Sequence, residues 1–145
     1  MYQTIVVGAD GSNRSCTAVE HAARLASSVG AALHVVSALR APVSAGMDER
    51  PAPSRQFKTA ELSLAYRHDH AEGLVARLRQ RGIAATAHVH FGDAAQVLCD
   101  VAAEVDADLI VVGNKGFSGI RRFINSVPAD VARTSIVPVL IVHTG

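Results

Sequence analysis

Residues 109–126, LIVVGNKGFSGIRRFINS, decide how this chain folds. The opening apolar run, Leu109-Ile110-Val111-Val112, reads as a strand buried in a parallel sheet. The stretch from Gly113 to Ser126 then carries three glycines and the cations Lys115, Arg121 and Arg122. It stops just before Val127-Pro128-Ala129-Asp130, which reads as a helix start. A strand, a glycine-rich loop and a helix N-terminus in that order are how α/β proteins build an anion site. Glycine lets backbone N–H groups approach a phosphate, and the helix end adds partial positive charge. A phosphorylated small molecule is the expected cargo.

Working outward, the same grammar repeats. Residues 2–9 read as a first strand, and Ser12 as the N-cap of a helix over 13–29 that Gly30 ends. Residues 31–38 read as a second strand. The polar stretch 39–57, with Pro42, Pro51 and Pro53, is too long for a plain connection and is expected to be a flexible loop or lid. A long amphipathic helix is expected over 58–81, a third strand over 83–91, a helix over 93–105, the strand 107–113, a helix over 127–135 and a last strand over 137–143. The third strand alternates, with Ala85, Ala87, Val89 and Phe91 opposite Thr86, His88 and His90, as an edge strand does. Such βα alternation specifies a parallel sheet with helices on both faces. Ligands of these folds bind beyond the carboxyl ends of the strands, where strand order reverses. The first and fourth strands both end in Val-Gly, at Gly8 and Gly113, so their loops are expected side by side there.

The totals agree. A chain of 145 residues is one domain of ordinary size, here residues 1–145, able to bury roughly two-thirds of its unfolded surface. The net charge of +1, with both signs interspersed, argues against a nucleic-acid binder. Trp is absent, so no base-stacking platform is visible. No apolar run approaches membrane-spanning length, and no leader is evident. Cys16 and Cys99 belong to no CxxC pair and read as small buried hydrophobes of a reduced, cytoplasmic chain.

Three segments, IVVGADGS at 5–12, HVHFGDAAQVLCDVAAEVDADLIVVGNKG at 88–116 and SVPADVARTSIVPVLIVHTG at 126–145, resemble the universal stress protein family over essentially the whole chain. The resemblance implies a three-layer α/β/α fold, its five-stranded parallel sheet in the Rossmann-like, flavodoxin-like order 3-2-1-4-5. It implies an adenine nucleotide as ligand: ATP foremost, with Mg²⁺ accompanying it, or AMP or cyclic AMP. Nucleotide-binding members carry G-x2-G-x9-G-[ST]. Here Gly113 and Gly116 match the first half, only residues 117–124 intervene, and Asn125 replaces the third glycine before Ser126. Asn tolerates positive φ better than other non-glycine residues. By the family pattern, Gly113, Gly116, Asn125, Ser126 and Val127 would cradle phosphates and ribose. Ala9 and Asp10 would meet the ribose or adenine side, and Val36 and Val112 would line the adenine pocket. A carboxylate suits paired ribose hydroxyls, although ADGS also suits an Asx-turn. Lys115 could pair with phosphate. Ser126 could bond phosphate and cap the last helix.

The resemblance further implies a homodimer through the C-terminal strand and a protein partner of unknown identity. It implies a regulator in stress adaptation, not an enzyme, with weak ATP hydrolysis at most. A nucleotide-independent dimeric adaptor and an ATP-using enzyme are the alternatives. No nucleophile elbow, carboxylate pair or Cys–His arrangement presents itself. His88 and His90 share a strand face, but no third ligand is signalled, and edge-strand polarity accounts for them. His21, His34 and His143 are expected to stand alone. Site metals are expected to be none.

Overall fold

The computed structural model describes residues 1–11, 13–40, 53–114 and 126–144. Five strands and four helices alternate: β1 (Thr4–Gly8), α1 (Asn13–Val29), β2 (Ala32–Leu39), α2 (Pro53–Gln80), β3 (Ala85–Phe91), α3 (Ala94–Glu104), β4 (Leu109–Gly113), α4 (Val127–Thr134) and β5 (Val139–Val142). The strands form one parallel sheet in the order β3-β2-β1-β4-β5, as expected. The half-polar β3 stands at one edge and β5 at the other.

Two-residue periodicity divides the strand side chains between two cores. Ile5, Val7, Leu33, Val35, Leu109 and Val111 face one side. There they meet the alanines of α1 (Ala18, Ala22, Ala23, Ala26) and Val75 and Leu78 of α2. Val6, Val36, Ile110 and Val112 face the other side, against Leu98 and Val101 of α3 and Val131 of α4. Small residues on α1 let it lie close to the central strands. Register ties the sheet together: Ile5 sits beside Leu33 on one flank and Leu109 on the other. At the amino end, the Asp108 carboxylate accepts from the backbone N–H of Gln3 at 2.8 Å and of Thr4 at 3.2 Å. That pins the start of β1 to β4.

The helix ends follow local rules. Asp93 caps α3 by accepting from the Gln96 N–H, and Ser126 caps α4 by accepting from the Ala129 N–H. The Ala31 N–H returns to the Ala26 carbonyl at 2.9 Å, closing α1.

Two expectations need correcting. α2 begins at Pro53 rather than near residue 58, so residues 53–57 are helix and not loop. Proline fits a first helical turn, where its missing N–H has no intrahelical partner, so Pro53 opens the helix instead of interrupting it. The remainder of the expected lid, residues 41–52, lies outside the described residues. Cys16 is exposed and Cys99 half-buried, not both buried: Cys16 follows the buried Ser15 on α1 and so points away from the sheet. No helix among the described residues is long and apolar enough to cross a membrane.

Candidate functional site

β1 leads to β2 on one side of the sheet, and β4 flanks β1 on the other. The loops that follow β1 and β4 therefore part in opposite directions and leave a crevice at their carboxyl ends. A cleft of about 90 Å³ lies there. Gly8, Ala9 and Asp10 form its wall from β1, and Val112 and Gly113 its wall from β4. Val36 and Ala38 of β2 close one end and Val127 of α4 the other.

Six residues singled out from the sequence thus come together: Ala9, Asp10, Val36, Val112, Gly113 and Val127. Ser126 stands next to the cleft, buried, with its Oγ accepting from the Ala129 N–H at 3.2 Å. Lys115, Gly116 and Asn125 lie outside the described residues.

The apolar wall is buried and tied to the sheet. Val36 and Val112 are almost wholly buried, and Ala9 is fixed by donating to the Val36 carbonyl at 2.8 Å. Leu98 rises from α3 against Gly8, where a Cβ would approach its Cδ1 to 3.3 Å. A side chain at position 8 would crowd Leu98 and fill the floor of the cleft. Gly11, just after Asp10, has φ +86°, a backbone that L-residues adopt at a cost.

The electrostatics are one-sided. Asp10 is the only formally charged side chain among the described lining. Yet the first residues of α3 and α4, Ala94 and Val127, both reach the cleft, and Ser15 brings the first turn of α1 there too. Each helix N-terminus carries roughly half a positive charge and backbone N–H groups without intrahelical partners. Three such ends around one carboxylate favour a ligand with an anionic part and a hydroxyl-bearing part.

Sequence reasoning missed several participants. Ser15 is buried in the cleft wall; its position one turn into α1 was the available signal. Ala38, Ala94 and Leu98 carry no chemistry that marks them. Asn114 is the most informative omission. Its N–H donates to the Val142 carbonyl, and its Oδ1 accepts from the Thr144 N–H and hydroxyl, all at 3.0 Å. Its Nδ2 and His143 Nδ1 are 2.9 Å apart. Asn114 therefore anchors the start of the glycine-rich segment to the end of β5. His143, expected to stand alone, belongs to that anchor. His34 also has a partner: its Nδ1 lies 2.9 Å from His88 Nε2.

Comparison with known proteins places the chain. The family model described as "Universal stress protein family" matches residues 1–143. Universal stress protein Rv1636 of Mycobacterium tuberculosis is 37% identical over 153 residues, covering 99% of this chain and 97% of that protein. A crystal structure of a universal stress protein in complex with cAMP superposes with TM-score 0.75 at 35% identity, covering 99% of this chain and 98% of the other. The universal stress protein from Archaeoglobus fulgidus in complex with dAMP gives TM-score 0.62 at 26% identity, with 97% of each chain covered.

Proposed function

We propose that this chain, which belongs to the universal stress protein family, binds an adenine nucleotide in the cleft between β1 and β4. The observation that carries this reading is the convergence of Asp10, an apolar slot and three helix N-termini on one crevice. The slot between Val36, Val112 and Leu98 suits a flat base. The Asp10 carboxylate suits ribose hydroxyls as acceptor. The N-termini of α3 and α4, with Gly113 and Ser126, suit phosphate. Complexes of relatives with cAMP and dAMP support the same class of ligand.

The size of the cleft refines the assignment. Ligand pockets usually span about 300–1,000 Å³, and this one measures about 90 Å³. It therefore encloses only part of the ligand, to which we assign base and ribose, and the phosphates extend toward the segment beginning at Gly113. Lys115, Gly116 and Asn125 belong to that segment and are assigned to the phosphates. ATP is the preferred ligand, with Mg²⁺ supplying charge neutralisation at its phosphates; AMP and cyclic AMP share the enclosed moiety. The protein acts as a cytoplasmic regulator in stress adaptation, over a single domain of residues 1–145. The nucleotide biases its conformation or its choice of protein partner and is not turned over, apart from weak hydrolysis. Dimerisation through β5 fits an edge strand whose Ile141 is 47% exposed, with Ile136, three residues before that strand, at 94%.

Calorimetry of the full chain with ATP, ADP, AMP and cyclic AMP tests the reading, together with mass spectrometry of small molecules carried through purification. One nucleotide per chain is expected. No heat with any of the four, and no nucleotide released from fresh protein, would overturn it. One observation favours the second reading, a nucleotide-independent adaptor: the glycine pattern is one residue short and ends in Asn125 instead of glycine.

A further inference from the structure

The imidazoles of the β2–β3 edge belong to no part of the nucleotide cleft. Register places them on one face. Val36 pairs with His88 and Ala38 with His90, and His34 points to the same side two residues before Val36. That side carries the core of α3 and α4, and the three histidines, on the edge strand β3 and on its neighbour β2, are not among the residues of that core. His34 Nδ1 and His88 Nε2 are 2.9 Å apart. The ring centres of His34 and His88 are separated by 5.1 Å, and those of His88 and His90 by 6.3 Å. His34 and His88 are half-buried, while His90 is exposed.

We propose that His34 and His88 are the preformed half of a metal site, with His90 and water completing it, for a divalent ion that prefers imidazole nitrogen. An ion holding two imidazoles at about 2.0–2.1 Å sets their nitrogens about 2.8–3.0 Å apart at the right angle of a tetragonal site and about 3.3–3.4 Å apart at a tetrahedral angle. The observed separation falls in the first of these ranges. The ring nitrogens are the chelating atoms, which selects Zn²⁺, Cu²⁺ or Ni²⁺ over Mg²⁺ or Ca²⁺, whose ligands are oxygens. Burial is the main reason both rings resist protonation, and each ring's neighbour (His88 for His34, His90 for His88) opposes a further charge. Glu104, at the end of α3, pulls His88 the other way. Neutral imidazole is the form that ligates. Among the described residues no three His, Cys, Asp or Glu already converge on one point. His90 reaches the ion by a rotamer change that its exposure permits, and the open edge of β3 is the entry path. The ion links β2 to β3 side chain to side chain, where the sheet has no further strand to cover it.

The test is calorimetric titration of the untagged full chain with Zn²⁺ at neutral pH. One ion per chain is expected. His34→Gln and His88→Gln should each weaken binding by at least the roughly 10–100-fold that even an outer-shell partner commands. His90→Gln should weaken it less, and His21→Gln, on α1, not at all. Cu²⁺ loaded on the unaltered protein should show electron-spin coupling to two or more nitrogens, a readout that needs no variant to fold. Affinity unchanged by both His34→Gln and His88→Gln, or no binding at millimolar Zn²⁺, overturns the proposal. A Cu²⁺ spectrum showing a single nitrogen overturns it too; the 2.9 Å contact is then a shared proton and nothing more.

Discussion

Ser126→Ala separates two jobs that one hydroxyl performs. The Ser126 Oγ accepts from the Ala129 N–H at 3.2 Å, which caps α4. That uses a lone pair and leaves the hydroxyl proton available as a donor beside the proposed phosphate position. Loss of a Ser cap costs about 1 kcal/mol, and the residue is buried, only 6% exposed. For a chain of this size, about 1 kcal/mol lowers Tm by about 2–4 °C. The donated bond is charge-assisted and worth about 1.5–3 kcal/mol, so ATP binding should weaken by about tenfold to a hundredfold. Adenosine has no phosphate and should bind Ser126→Ala within about twofold of the unaltered chain. Ser126→Gly retains most of the cap, since Gly costs only a few tenths of a kcal/mol there. It should therefore keep Tm and still lose ATP affinity. Thermal unfolding and calorimetry with both ligands decide the matter. If ATP and adenosine weaken equally, the hydroxyl only organises the helix. If Tm does not fall in Ser126→Ala, the cap contributes nothing.

Three further outcomes follow from the same geometry. Asp10→Asn keeps the shape of the side chain and removes the charge, so adenosine and AMP should bind about tenfold to a hundredfold more weakly and free adenine equally well; equal losses for all three would remove Asp10 from the ribose. Leu98→Ala removes a side chain that is 3% exposed and packs over Gly8. It should cost about 2–5 kcal/mol in denaturant unfolding, and a cost under about 1 kcal/mol would mean that α3 collapses into the space. Finally, His34 and His88 both titrate below the ordinary histidine value of 6.5, chiefly through burial. Protons then bind the unfolded chain more readily, so stability is complete above the unfolded value and declines as pH falls through the lower folded values. In the presence of a chelator, the Tm of the unaltered chain should drop between neutral pH and pH ~5 more steeply than that of His34→Gln; parallel curves would show that the pair is not coupled to folding.

Much of the fold is legible along the chain because its causes are local. Apolar runs such as Ile5-Val6-Val7 and residues 109–112 (Leu-Ile-Val-Val) must be strands buried on both faces, and their alternation with helix-period segments leaves a parallel sheet as the outcome. The polar face of β3 foretold its place at the margin. Boundaries were less secure where a residue type has two uses. Proline marks a loop or opens a helix, and Pro53 does the second. Cysteine is small enough to bury, but Cys16 occupies an outward position on α1 that composition alone does not reveal.

For the candidate site the division is similar. Asp10, Gly113 and Val127 could be named from sequence because each lies where a strand hands over to a loop or a helix begins, and those handovers are visible in one dimension. Folding decided which handovers share a crevice. Ser15 joins the cleft because α1 packs over the central strands. Asn114 meets His143 and Thr144 because β4 and β5 are parallel neighbours. His34 reaches His88, 54 residues away, because β2 and β3 pair in one particular register. A slip of one residue would send that imidazole to the other face of the sheet. Periodicity and glycine placement thus determine element type, order and sheet class, since each depends on neighbours within a few residues. Which side chains touch depends on strand register and helix seating, which are settled only when the whole core is packed.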